Sequence, residues 1–264
     1  MSRQMRVLVT GGSGQLGRLF ARHYGAHYAL RLAYHSRPID TSEHEVVQMD
    51  LADYASVLRA MEGVDAVLHL GADSDNHAPW SAMLPNNIVG TYHAYEAAHA
   101  SGVRRFVFAS SNHAAGMAVK EDVVVGPDAP IRPDSLYGVS KCFGEALGRY
   151  YHDRYGMQVI CLRIGSCHGA DDLEGQRELL QRVVARGGSD PYSVRQILSI
   201  WLHPRDMSQL VHRSLQTDCP FGIFYGISAN TPAAFDLSET RRLLGYEPQY
   251  NVQDLVSAPI ASLG

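Results

Sequence analysis

The chain has 264 residues, which at about 150 residues per domain allows one large domain or a domain with an appended lobe. Hydrophobic residues make up 45% and charged residues 19%, which excludes a disordered chain and supplies a large core. Lys+Arg is 23 against Asp+Glu 27, so the basic surplus of a general nucleic-acid binder is missing, although a local basic pocket around a small anion is not excluded.

The elements follow in chain order. Met5 to Thr10 is an apolar run that meets Gly11, Gly12, Ser13 and Gly14, and Leu16, Leu19 and Phe20 then repeat at helical spacing. Tyr28 to Tyr34, Glu45 to Met49 and Ala66 to Leu70 read as further strands. A helix from about Asn86 to Ser101 leads into a strand at Arg105 to Ala109. A second, from about Leu136 to Tyr155, leads into Met157 to Arg163. After Ile164 come a helix at about Leu173 to Arg186 and a Gly-Gly-Ser-Asp-Pro break that reads as a loop. A helix near Asp206 to Gln216, a run from Ile223 to Ile227 and a short helix ending at Leu244-Gly245 complete the chain. Strands alternating with long helices predict an α/β fold, a Rossmann-type doubly wound parallel sheet with a small C-terminal substrate lobe. The expected division is 1–165 for the nucleotide-binding sheet and 166–264 for the lobe. The ligand cleft would lie between them, at the carboxyl ends of the strands.

No run of about 18 apolar residues occurs, so no membrane-spanning helix is expected. Cys142, Cys161, Cys167 and Cys219 form no CxxC pair, and no histidine cluster has zinc spacing, so no metal site is expected. Reduced thiols and the absence of a signal-like start predict a cytoplasmic protein.

Gly11, Gly14 and Gly17 give a GxxGxxG spacing between strand and helix. A phosphate needs backbone donors at close approach, which glycines and a helix N-terminus provide. Gln15 and Leu16 fall within this loop, and Leu70, Gly71, Ala72 and Ile164 at later strand ends are expected along the same cofactor cleft. An acid should end the second strand to hold a ribose hydroxyl. Here the chain reads Tyr34-His35-Ser36-Arg37, and a hydroxyl with a guanidinium suits a 2′-phosphate. NADP is therefore expected, with NAD as the alternative. Asp50 and Leu51 are expected near the adenine, although Asp50 could equally cap the next helix.

Tyr137 and Lys141 stand four residues apart, on one face of a helix. A neighbouring ammonium and a cationic nicotinamide would lower the tyrosine pKa and let it take a proton from a substrate hydroxyl. Ser111, at the end of the preceding strand, could bond the same oxygen. His69, inside an apolar strand, reads as a core residue. Asp73 and Asp75 flank Ser74 and would repel an anion, so they are expected to point away or to bind hydroxyls.

Together these motifs resemble the short-chain dehydrogenase/reductases of the extended type, over nearly the whole chain. The carriers are Thr10 to Gly17, Asp50-Leu51, Asn87 to Thr91, Ser110-Ser111, Tyr137 with Lys141, His203 to Asp206 and Leu244 to Pro248. The resemblance implies Ser111, Tyr137 and Lys141 as the catalytic set, Lys141 also on the nicotinamide ribose, and Asn87 in support. Phe108 to His113, Leu136 to Glu145, Arg163 to Cys167 and Tyr225 to Asn230 are similar to uronate dehydrogenases, and short-chain-type glucose-6-phosphate dehydrogenases look similar too. This implies oxidation of the anomeric carbon of a free sugar, expected to be acidic (a uronate, phosphosugar or sulfonated sugar), to a lactone. Ser74, Asn112, His113 and Ser166 would touch that sugar.

The chain departs from those relatives at the anion-binding arginine. Gln196 holds the matching position before Trp201 and Arg195 sits one residue earlier, so both are expected at the substrate. Arg177, Arg182 and Arg186 lie in a longer segment of the same region. The rival readings are a nucleotide-sugar epimerase or dehydratase and a non-catalytic dinucleotide sensor. The first needs a larger lobe, and the second commonly lacks the Tyr or Lys. The resemblance also implies a homo-oligomer.

Overall fold

Arg6–Thr10 (β1) is almost entirely buried and takes the middle of a sheet built from parallel strands. The computed structural model describes residues 3–121, 123–188, 192–257, 259–260 and 263. Within it β1 is joined by Ala29–Tyr34 (β2), Glu45–Gln48 (β3), Ala66–His69 (β4), Arg105–Ser111 (β5), Gln158–Ile164 (β6) and Phe221–Gly226 (β7). The sheet order is β3-β2-β1-β4-β5-β6-β7, every pairing parallel. The direction of winding reverses between β1 and β4, which opens a crevice at their carboxyl ends. All seven residues of β5 are buried, as expected of a strand covered on both faces.

The crossovers are Gln15–Tyr24 (α1), Tyr54–Ala60 (α2), Trp80–Met83 (α3), Gly90–Ala100 (α4), Gly116–Val119 (α5) and Leu136–Tyr155 (α6). Leu173–Arg186 (α7), Val194–Ser199 (α8), Pro204–Gln216 (α9) and Ser238–Leu244 (α10) follow. Leu19 and Phe20 of α1 and Met207, Leu210 and Val211 of α9 bury one face of the sheet. Val57 of α2, Ala94 and Tyr95 of α4 and Tyr151 of α6 bury the other. The doubly wound α/β fold predicted from strand–helix alternation is therefore present.

The sheet does not end near residue 165. β7 pairs with β6 from Val159↔Phe221 to Ile164↔Gly226, and α9 packs against α1. A third apolar cluster, Leu180, Val194, Leu198, Trp201, Val252, Leu255 and Ile260, lies wholly beyond residue 165.

The helix expected from about Asn86 begins earlier. α3 runs into a π turn at Leu84–Val89 and on into α4. Pro85 reads as a break in the sequence because it has no N–H to give. Pro85 stands in the first turn of this segment, and the Gly90 N–H reaches back five residues to its carbonyl. Asp53 caps α2 by accepting from the Ala55 N–H; Asp50 instead accepts from Ala52 in a local turn. Of the predicted 187–191 loop, Gly187 ends α7 at φ 77, and residues 189–191 lie outside the described residues.

Candidate active site at the switch point

Thr10 closes β1 and the chain turns at Gly11, whose φ of 67 an L side chain rarely adopts. The Gly12 N–H donates to Ala33 O at 2.7 Å and Gly14 N–H to Gly11 O at 2.8 Å. A Cβ on Gly17 would stand 2.8 Å from Gly11 O and Gly12 Cα, so only glycine lets α1 sit this close to the turn. No side chain caps α1 at Gly14. Its first N–H groups and positive dipole end are therefore left for an anion.

These residues form one end of a cleft of about 570 Å³. Gly11, Gly14, Gln15, Leu16, Gly17 and Arg37 line that end, and Leu70, Gly71, Ala72 and Ile164 line the middle. Ser74, Ser111, Asn112, His113, Tyr137, Lys141 and Ser166 line the rest. The structure thus brings most of the predicted site residues into one wall. Gln15 reaches across from α1, donating from Nε2 to Gly169 O at 3.2 Å.

Others stand elsewhere. His35, Ser36 and Asp50 are outside the cleft wall, with His35 and Asp50 3.9 Å apart at the surface. Leu51 packs behind the wall, where a Cβ on Gly71 would come within 2.9 Å of it. Asn87, expected in support of the site, does not line the cleft. It is 2% exposed, donates to Asp73 O at 2.8 Å and to Ser140 Oγ at 3.1 Å, and accepts from Asp73 N–H at 2.8 Å. Gln196 does not line the cleft. Its oxygen accepts from Ser193 N–H in a capping box and its amide donates to Lys120 O, so both polar atoms are already used. Arg195, its neighbour on α8, does not line the cleft either. Arg177 and Arg182 lie on α7, where Arg182 pairs with Glu178 3.8 Å away with both side chains exposed. Asp73 and Asp75 accept from backbone N–H groups two residues on and are not in the wall.

Four-residue spacing on α6 puts Tyr137 and Lys141 together, the Lys141 Nζ 5.3 Å from the tyrosine ring centre. Nζ donates to Ala109 O at 2.8 Å. Burial lowers the Lys141 pKa to about 8, against the raising effect of Glu145. The sequence reading expected Tyr137 to be lowered as well. Instead burial pushes it up to about 12, with a hydrogen bond from Ser111 lowering and Asp73 raising it. Below them Glu145, one turn past Lys141, accepts from Nε and Nη2 of Arg163 at 2.9 and 2.8 Å and from the Ser110 hydroxyl at 2.6 Å. Arg163 also donates to Tyr225 OH at 2.9 Å. This buried network ties α6 to β5, β6 and β7 beneath the reactive side chains. His69 bonds Thr10 Oγ1 at 2.9 Å, and burial and then Lys141 take its pKa to about 3, so it is a neutral core residue.

The sequence reading missed the surroundings of His113. Its Nδ1 lies 2.9 and 3.1 Å from the oxygens of Asp134, and its Nε2 lies 2.8 Å from the Asn76 amide. Tyr192 and Ser135 also donate to Asp134. Asp134 reads in the sequence only as the residue before the Ser135 cap of α6, and Tyr192 follows the unassigned loop after α7. No fixed spacing links either to His113.

The chain matches the model of the "NAD dependent epimerase/dehydratase family" over residues 7–220. It is 37% identical over 268 residues to an L-arabinose 1-dehydrogenase (NAD(P)(+)) of Haloferax volcanii, covering 95% of this chain and 99% of that protein. It is 38% identical over 248 residues to a uronate dehydrogenase of Pseudomonas putida, covering 92% and 84%. A solved uronate dehydrogenase from Agrobacterium tumefaciens, a tyrosine-to-alanine mutant complexed with NAD, superposes with a TM-score of 0.78 at 34% identity, covering 97% of this chain and 92% of that one. With a family match over most of its length and relatives of this closeness, the chain belongs to the NAD dependent epimerase/dehydratase family.

Proposed function

We propose that the protein oxidises the C1 hydroxyl of a free sugar to a lactone and passes the hydride to NAD(P). One observation carries this reading. The serine, tyrosine and lysine side chains converge in the same cleft as the glycine loop. The relatives named above act on sugars and support it. The residues present fit a dinucleotide, because glycine at 17 lets α1 close onto the Gly11–Gly12 turn and the helix end at Gly14 carries no side-chain cap. An oxidised nicotinamide dinucleotide, when bound, supplies the hydride acceptor and a positive ring charge.

The chain's own residues then divide the remaining work. Ser111 donates to and orients the C1 oxygen. Tyr137 accepts the hydroxyl proton while the hydrogen on C1 leaves with its electron pair, so one proton and one hydride account for the two-electron oxidation. Lys141 holds positive charge beside Tyr137 and favours its phenolate. A phenol raised to about 12 by burial needs such nearby cations to act at neutral pH.

Arg37 is the only arginine on the described cleft wall and stands at the glycine-loop end, which supports NADP as the preferred cofactor. The substrate end carries hydroxyl, amide and imidazole groups, so the test spans neutral and acidic sugars. The purified protein is offered L-arabinose, D-glucuronate and glucose 6-phosphate with NAD and with NADP, and reduced nicotinamide is followed by absorbance. Reduction with at least one sugar is expected, and none with any would defeat the reading. In Arg37→Ala the KM for NADP is expected to rise more than that for NAD; equal changes would remove the argument for NADP.

A further inference from the structure

We propose that Asn76 is a specificity residue of the sugar subsite, its side-chain oxygen accepting a substrate hydroxyl. Tyr192, Asp134 and His113 are the positioning residues that aim it. The proposal rests on the sugar-oxidation reading and names a contact within that site.

The chain of bonds starts at Asp134. Its side chain is 0% exposed and takes hydrogen bonds from His113, Tyr192 and Ser135. Burial acts to raise its pKa, but the bonds from His113 and then Tyr192 outweigh burial and hold it below the ordinary carboxylate value. Asp134 is therefore charged at neutral pH and accepts, so the His113 proton sits on Nδ1. On the far side of the ring, Nε2 meets the Asn76 amide at 2.8 Å. An amide N–H pairs with a bare ring nitrogen, so in this arrangement Nε2 is the acceptor.

The Asn76 side chain is oriented accordingly. Its nitrogen faces His113, and its oxygen is left without a hydrogen-bond partner although it is shut from solvent. A buried acceptor without a donor is costly and rare. Asn76 and His113 both line the cleft with Ser74, Ser111 and Tyr137. The His113 ring meets the Tyr137 ring edge-on, centroids 5.8 Å apart. The residue that carries the orphan oxygen thus lines the cleft that holds the proposed base, and a sugar that shifts this side chain offers it a hydroxyl donor. Asn87 holds both backbone groups of Asp73, three residues before Asn76, which fixes the loop that carries it.

The experiment separates the relay, the contact and the reaction. Nitrogen NMR of the ring-labelled protein is expected to show His113 as the Nδ1–H tautomer, and Asp134→Asn should shift it to a mixture. Tyr192→Phe, which keeps the ring volume, should move it in the same direction by less. In Tyr137→Phe protein, where turnover is blocked, L-arabinose or D-glucuronate should shift the His113 signals, and adding Asn76→Ala should remove that shift. In the active enzyme, Asn76→Ala should raise sugar KM about tenfold, the worth of one hydrogen bond, with kcat within about threefold and dinucleotide Kd unchanged. An Nε2–H ring in the unaltered protein overturns the proposal. So does a sugar-induced shift that survives Asn76→Ala, a wild-type sugar KM in that variant, or no shift with either sugar. If a sugar shifts the signals as expected but no dinucleotide is reduced, the oxidation reading fails and the Asn76 contact stands.

Discussion

At the scale of single residues, two positions carry most of the argument. Tyr137 is the proposed base, and its pKa is pushed to about 12 chiefly by burial. The phenol is thus protonated at pH 7, and each step toward alkaline pH enlarges the basic fraction. The kcat of sugar oxidation is expected to climb from mildly acidic to alkaline pH, and Tyr137→Phe to lower it about 10²- to 10⁴-fold. A flat pH–rate profile would count against this base. At Gly17 even a methyl group collides with backbone at Gly11 and Gly12. Gly17→Ala is expected to weaken dinucleotide affinity at least about tenfold by parting α1 from the turn, read by fluorescence titration with reduced dinucleotide. Both positions were legible because their chemistry is local, a turn of fixed geometry and a pair on one helix face. Gln196 was misread because sequence matching gives a position but not the direction of a side chain. There the amide is engaged in the Ser193 capping box and with the Lys120 carbonyl. Asp134 and Tyr192 were invisible for a related reason, since their contact with His113 exists only after three separate segments fold together.

At the scale of elements, α6 is the member that joins sheet to chemistry. Its Tyr137 and Lys141 face the cleft, and its Glu145 plugs into β5, β6 and β7 through Ser110, Arg163 and Tyr225. The side chains of Glu145 and Arg163 are each 4% exposed. Removing one partner would leave the other charge buried alone. Arg163→Met is therefore expected to cost about 3–5 kcal/mol, measured by denaturant unfolding. A loss below about 1 kcal/mol would show that water or a shifted side chain compensates. The strands and the long helices α6 and α7 were readable from periodicity and caps. The π turn was not, because Pro85 disguises a continuous helix and the extra residue leaves no compositional trace.

At the scale of the whole molecule, carboxylates hold distant parts of the chain together. Asp65 receives the Arg6 N–H and Arg3, and these bonds outweigh burial to lower its pKa. Asp171 is lowered first by its bond from His23 on α1 and is also met by Arg22. Asp134 is lowered as described above. A carboxylate with a depressed folded pKa gives stability that is complete above the unfolded value near 4 and is lost as pH falls through the folded value. The thermal midpoint is accordingly expected to fall between about pH 5 and pH 2, by scanning calorimetry, and a midpoint that holds or rises there would contradict the assignment. Asp206 acts in the opposite sense, since burial raises its pKa, and it limits the size of the fall. The doubly wound sheet was legible at this scale, whereas its last strand was not assigned to it. β7 is contributed from beyond residue 165, and pairing across a long insertion leaves no periodic mark. Among the described residues no helix is long and apolar enough to cross a membrane.

The π turn at Leu84–Val89 also works as an index mark. Asn87 sits within it and grips Asp73 by both its N–H and its carbonyl. Each helical residue turns the chain by about 100°, so excising one residue from that turn would swing Asn87 off its target. The length of chain between Gly71 and Gly90 is therefore not free to drift as loop lengths usually are. One amide converts the residue count of a helix into the placement of the strip that carries Ser74 and Asn76.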